Sequence, residues 1–175
     1  MYQGAVRKMD VNQDLEAYFC ANPVFFFRSI AKKNNWEVVA EENDSTAFYA
    51  EGMWRQYLYC FQWMEADQQL RITCEYDLRL PKKRRNSLYR TLNMANEKCE
   101  EGFFTYCDEQ KVIIFHSKFK GSDALEINAL RSKDIISSIT NIMDDLYPVF
   151  QLISWGKENP DMAIKLAGNH VSGFI

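Results

Sequence analysis

Apolar and polar residues alternate most regularly along residues 70–80. The even-numbered positions from Leu70 to Leu80 are apolar or aromatic, and the odd-numbered positions between them are polar or charged. A period of two predicts a β-strand with one face on a core and the other face in contact with water. The pattern favours an antiparallel sheet, because strands of parallel sheets are usually buried on both faces.

Five other stretches have the composition of strands. Residues 36–41 and 46–51 flank a short polar segment, which predicts two strands joined by a turn. Residues 54–64 form a long strand candidate that is dense in aromatic side chains. Residues 103–107 and 111–119 flank another polar segment, which predicts a hairpin.

Helical spacing of apolar residues predicts the remaining elements. Asn22-Pro23 is typical of a helix start, because Asn caps the first backbone N–H groups and Pro suits the first helical position. The predicted helices are the one that follows this pair and ends near residues 33–35, residues 82–100, residues 121–155 with a kink or restart at Pro148, and residues 162–167.

The order of these elements indicates the fold class. We interpret it as helix, three strands, helix, two strands and then helices, with the strands grouped rather than alternating singly with helices. This order predicts an α+β fold in which helices pack on an antiparallel β-sheet. The length of 175 residues suits one domain. We expect an N-terminal extension over residues 1–21, a single domain over 22–170 and a short tail over 171–175.

Composition indicates the compartment. The five cysteines are odd in number and show no CxxC spacing, which argues against a disulfide framework and favours reduced thiols in the cytoplasm. The first ten residues hold no apolar h-region, and no stretch approaches roughly 18 apolar residues. We therefore expect neither a signal peptide nor a membrane-spanning helix. The net charge of −3 gives no general attraction to nucleic acid or to an anionic membrane.

Candidate catalytic and metal-binding groups are few. Cys60 and Cys74 fall on neighbouring predicted strands, and Cys107 and His116 fall on the predicted hairpin. These pairs lack the short ligand spacing of zinc sites and the third orienting group of a nucleophilic site, so core or surface roles are favoured. No glycine-rich phosphate-binding motif occurs. We expect no catalytic residues, no bound metal, no cofactor and no enzymatic activity.

The aromatic strand is the first candidate for partner binding. One of its faces carries Tyr57, Tyr59, Phe61 and Trp63, and the opposite face is also largely apolar. Neither face tolerates full exposure to water, so one covers the main core and the other needs a second cover. That cover is a helix of the same chain, another subunit or a client protein.

A basic run is the second candidate. Lys82, Lys83, Arg84 and Arg85 lie at the predicted start of a helix, where cations oppose the helix macrodipole. An anionic partner bound there would reverse this conflict. Charge runs are more often a solvated surface, and both interpretations stay open.

Several segments resemble the YbjN family of bacterial proteins. They are "NPVFFFRSIAKKNNWEVVAEEND", "AEGMWRQYLYCFQW", "LRITCEYDLRLP", "NEKCEEGFFTYCDEQKVIIFHSKF" and "LYPVFQLISWGKENPDMAIKLA". The resemblance spans roughly residues 22–170. It implies a role as a sensory transduction regulator and a fold similar to type III secretion chaperones, with the order α-β-β-β-α-β-β-α. Those chaperones are dimers that bind client proteins, and no catalytic residues carry over.

The sequence therefore predicts a non-enzymatic module that binds a protein partner, acts as a homodimer, and contacts neither nucleic acid nor a membrane. An enzyme or a small-ligand sensor with an unrecognised polar pocket is the alternative. Such an enzyme would bring at least two titratable groups together in a deep polar pocket.

Overall fold

A computed structural model describes residues 22–156 and 160–162 of the chain. Its centre is one antiparallel sheet in the order β1-β2-β3-β4-β6-β5. The six strands are β1 (Val38–Glu42), β2 (Ser45–Glu51), β3 (Gln56–Met64), β4 (Gln69–Asp77), β5 (Phe103–Cys107) and β6 (Val112–Lys120).

Helices precede, interrupt and follow these strands. The helices are α1 (Val24–Lys33), α2 (Arg85–Asn96), α3 (Ser122–Leu125) and α4 (Ala129–Trp155), with 3-10 turns at Glu65–Asp67 and Lys82–Arg84. Residues 160–162 are also helical. The predicted α+β class is confirmed. Four strands stand between the first two helices, in agreement with the four stretches predicted individually, so the predicted order with three strands was wrong there. The predicted extension over residues 1–21, the tail, and most of the predicted last helix lie outside the described residues.

The predicted helix start at Asn22 is confirmed. Its side-chain oxygen accepts a hydrogen bond from the backbone N–H of Val24 at 3.0 Å, as a helix cap does. The side-chain amide donates to the carbonyl of Asn43 at 3.1 Å and to the carboxylate of Asp44 at 2.9 Å. One buried side chain thus joins the start of α1 to the β1–β2 turn.

The core lies between one face of the sheet and the helices. In α1, Phe27 stacks on Phe61 of β3 with a ring-centroid distance of 4.0 Å. The hydroxyl of Tyr59 lies 2.8 Å from the hydroxyl of Thr140 in α4. Cys74 of β4 is also fully buried on this face of the sheet. The described helices therefore cover the face of β3 on which the odd-numbered aromatic residues lie.

The loop between β2 and β3 is fixed to α4 by Asp144. The Asp144 carboxylate accepts hydrogen bonds from the backbone N–H of Met53 at 2.9 Å and from the Tyr57 hydroxyl at 2.6 Å. Burial and this hydrogen bond raise the pKa of Tyr57 above its ordinary value. The predicted strand accordingly begins at Gln56, because the two residues before it serve this loop.

The end of α4 depends on Gly156. Its φ of 71° lies in the left-handed region, where a helix commonly ends on glycine. The Arg84 guanidinium donates to the Gly156 carbonyl at 2.8 Å, which places a cation at the negative end of the helix. A Cβ at residue 156 would also collide with that guanidinium. No helix in the described part of the chain is both long and apolar enough to cross a membrane.

Candidate binding cleft

The two outer strands at one end of the sheet differ in length. β5 has 5 residues and β6 has 9, and their pairing stops where Phe103 meets His116. Residues 117–120 of β6 still pair with β4 on one side. On the other side, no strand among the described residues pairs with them. We call this stretch, residues 117–120, the open edge of β6.

Gly102 determines where β5 begins. Its φ of 100° is a conformation that residues with a side chain rarely adopt. A Cβ at this position would collide with the carbonyl oxygen of His116 and the ring of Phe115. The chain therefore approaches β6 closely at Gly102, and its pairing with β6 begins only at Phe103, so no strand among the described residues lies beside the open edge.

A cleft of about 970 Å³ lies along the open edge. This volume is at the upper end of the range for ligand pockets, about 300–1,000 Å³. The charged side chains that line it are Arg71, Lys118, Lys120, Arg131, Glu101 and Asp123. Most of them are exposed, whereas a small-molecule pocket usually encloses its ligand within an apolar lining. The form of the cleft suits a length of polypeptide better than a small molecule.

Positive charge predominates on one side of this cleft. Arg71 of β4 lies directly opposite Lys118 of β6, and Lys120 follows two residues later on the same face. Like charges opposite one another on neighbouring strands are destabilising. Within the described residues, none of the three forms an ion pair. The arrangement favours an anionic ligand.

Aromatic and polar side chains form the wall nearest to β5. The Phe103 ring stacks on the His116 imidazole with a centroid distance of 4.9 Å, and 49% of Phe103 is exposed. His116 Nε2 lies 2.8 Å from the Thr105 hydroxyl. Burial lowers the pKa of His116, so the imidazole is neutral near pH 7. An exposed aromatic ring held in this way provides apolar contact area for a ligand.

The opposite face of the open edge carries Ser117 and Phe119. Phe119 is half-buried and lies opposite Leu70 of β4, on the core face. The Arg131 guanidinium of α4 stands 5.8 Å from the centroid of the Phe119 ring and pairs with Glu126 at 3.5 Å. The open edge thus presents cations on one face of the sheet and an aromatic residue on the other.

The four aromatic residues predicted to bind a partner lie elsewhere. Tyr57, Tyr59, Phe61 and Trp63 are 0%, 0%, 1% and 6% exposed beneath the helices of the same chain. The expectation of a partner-binding role was wrong for this face, since these side chains have almost no surface left for a partner. The chain's own helices cover this face, which makes it the face on the main core, and a second cover for the half-buried opposite face stays a prediction.

The predicted basic run divides into two pairs. Arg84 binds the end of α4, and Arg85 forms an ion pair with Asp108. Lys82 and Lys83 are exposed on the 3-10 turn and form no ion pair within the described residues. Two of the four cations therefore have structural partners, and anion binding by the run stays a prediction.

The structure does not bring the cysteine and histidine candidates together. Cys60 pairs with Thr73, and Cys74 pairs with Tyr59, so the two thiols point to opposite faces of the sheet. Cys107 and His116 lie at opposite ends of the β5–β6 pairing. Among the described residues, no group of three or more histidine, cysteine and acidic side chains could hold a metal ion.

Sequence reasoning did not identify the cleft, although a signal for it was present. The hairpin prediction already gave a strand of five residues, 103–107, beside one of nine, 111–119. Such a difference leaves part of the longer strand unpaired unless another strand covers it. Lys118 in that surplus and Lys120 just beyond its predicted end were the second signal.

Fold and cleft together define an α+β domain with a cationic surface cleft at a sheet edge. The chain belongs to the YbjN family, since the model of that family, described as "Putative bacterial sensory transduction regulator", matches residues 27–152. The match includes the whole sheet and most of α4. No curated protein and no solved structure matches the chain.

Proposed function

We propose that this domain is a non-enzymatic regulatory module that acts by binding a partner protein in the cleft along the open edge of β6. One observation carries the proposal: a strand edge without a neighbour, residues 117–120, coincides with three cations that form no ion pair within the described residues. Unpaired strand edges are templates for another chain. Cations without an ion-pair partner speed the association of an oppositely charged chain and make it selective.

The family description supports a regulatory role over a catalytic one. The cleft is large, and the charged side chains that line it are mostly exposed. The half-buried His116 imidazole lies within hydrogen-bond distance of the Thr105 hydroxyl. These features suit recognition of a macromolecule. The homodimer, the cytoplasmic location and the likeness to secretion chaperones stay predictions.

Photo-crosslinking in bacterial cells tests the proposed function. A benzoylphenylalanine placed at Phe103 in the cleft wall is expected to give a discrete adduct with another protein, which mass spectrometry identifies. The matched control is the same probe at Tyr89 of α2, because the two side chains are equally exposed, 49% and 50%. The control position is expected to give no such adduct.

Charge reversal then connects the adduct to the cleft. Lys118→Glu with Lys120→Glu is expected to abolish the adduct at residue 103, whereas Lys82→Glu with Lys83→Glu, which changes the net charge equally, is expected to leave it. Equal adducts from residues 103 and 89, or loss of the adduct only in the second variant, would contradict a binding role for the cleft.

A further inference from the structure

We propose that the occupant of the cleft is an extended acidic segment of the partner protein, added to β6 as a strand on the line that β5 vacates. This inference rests on the proposed function and names the chemistry of the partner. It follows from the backbone geometry of the open edge and from the side chains on its two faces.

The backbone of the open edge can accept a strand. Residues in a strand direct their N–H and C=O groups alternately to the two sides, so two of the residues 117–120 address the unpaired side. Four residues of strand span roughly 13 Å, at about 3.3 Å each. Main-chain pairing would provide affinity, and the pockets for alternate side chains would provide selectivity.

Register predicts the pattern of the bound segment. A residue paired with Lys118 or Lys120 would lie on the face that also carries Arg71. A residue paired with Phe119 would lie on the opposite face, against apolar surface. Since strand side chains alternate between faces, the segment should alternate acidic and apolar residues.

Electrostatics also favours this occupant. An acidic side chain between Arg71 and Lys118 would turn a like-charge contact into an attractive one. The other edge of the sheet has the opposite character, since β1 carries Glu41 and Glu42. Glu41 forms ion pairs with Lys32 at 3.0 Å and with Arg28 at 3.5 Å, whereas the Glu42 carboxylate forms none within the described residues. An acidic strand is therefore expected to bind at β6 rather than at β1.

Fluorescence anisotropy with a labelled acetyl-Glu-Val-Glu-Val-Glu-Val-amide peptide tests the inference. Binding is expected, and K118E with K120E should weaken it at least about tenfold, as truncated charge contacts at an interface do. K82E with K83E should leave affinity within about twofold, because those lysines lie outside the cleft. Circular dichroism confirms that each variant folds, and Lys118→Gln with Lys120→Gln replaces the reversal if it does not.

Modified peptides separate strand addition from charge attraction. A peptide with N-methyl groups on the alternate amides that would face β6 should lose binding, because those amides can no longer donate hydrogen bonds to β6. Lysine in place of every glutamate should abolish binding, and the blocked order Glu-Glu-Glu-Val-Val-Val should bind more weakly. Equal binding by all of the acidic peptides, or tighter binding of a single-stranded oligonucleotide, would overturn the inference.

The two proposals fail in different ways. An adduct at residue 103 with a partner whose crosslinked segment is neither acidic nor extended would overturn this inference and leave the proposed function. An adduct with a second copy of the chain at its β1 strand would overturn the assignment of a different partner protein. Absence of any adduct at residue 103 would contradict both proposals.

Discussion

Glu75 is an acidic residue held among apolar neighbours on the sheet face opposite the described helices. Its cross-strand partners are Leu58 of β3 and Ile114 of β6. Burial raises the pKa of Glu75, and the carboxylate of Asp77 raises it further. The folded protein therefore holds the proton on this carboxyl more tightly than the unfolded chain does.

The raised pKa predicts how stability depends on pH. Stability should fall as the pH rises from the unfolded value, about 4.3, through the folded value. Glu75→Gln should therefore raise Tm at pH 7, and the gain should shrink below about pH 4, where the residue is protonated in both states. Thermal unfolding across this range, followed by circular dichroism, measures both effects.

A matched substitution distinguishes this effect from a general change in charge. Glu109→Gln removes the same charge from an exposed turn, and it should leave Tm unchanged at either pH. A Glu75→Gln protein that unfolds at a lower temperature than the wild type at pH 7 would contradict the account of this residue.

The sequence showed that side chains of alternate residues lie on opposite faces of each strand, but it did not show which face the helices cover. Both faces of β3 carry apolar side chains, so the period of two could not say which face the helices cover. Tyr59 and Phe61 are buried because α1 and α4 supply Phe27 and Thr140 to that side. Contacts over such separations are absent from any local pattern.

Pro148 lies inside α4 without ending it. Proline has no backbone N–H, so the carbonyl four residues earlier, that of Asp144, loses its helical donor. The indole N–H of Trp54 donates to this carbonyl at 3.0 Å, and the Trp54 ring stacks on Tyr147 with a centroid distance of 6.2 Å. A side chain from the β2–β3 loop thus replaces the missing helical hydrogen bond.

A double-mutant cycle tests this replacement. Trp54→Phe keeps a ring against Tyr147 but removes the donor, and it should lower the free energy of unfolding by about 1 kcal/mol. In a Pro148→Ala background, the new N–H at residue 148 can donate to Asp144, so Trp54→Phe should cost less. Chemical denaturation of the four proteins measures the coupling, and equal costs in both backgrounds would contradict the proposed role of the indole.

At the element scale, the sequence predicted a kink or restart at Pro148, and the helix continues to Trp155. The difference arises because the compensating donor lies 90 residues away along the chain. The end of the same helix was predicted correctly at Gly156, since a glycine in the left-handed conformation is a local signal.

The whole sheet has two edges of different character. β1 is acidic, has only five residues and contains an irregularity in its pairing with β2, features that discourage a further strand. At the opposite edge, the outer strand β5 is short, and the part of β6 that extends beyond it carries basic residues. The grouping of strands along the chain predicted the α+β class. It did not predict the order of β5 and β6 in the sheet, because that order depends on β4 pairing with β6 across the intervening helix α2.

Amide hydrogen exchange with the alternating Glu-Val peptide bound tests strand addition at the open edge of β6. We expect added protection at the outward-directed amides of residues 117–120 and unchanged protection at residues 38–42. Protection that appears at residues 38–42, or no change at residues 117–120 while the peptide is bound, would contradict strand addition at the open edge of β6.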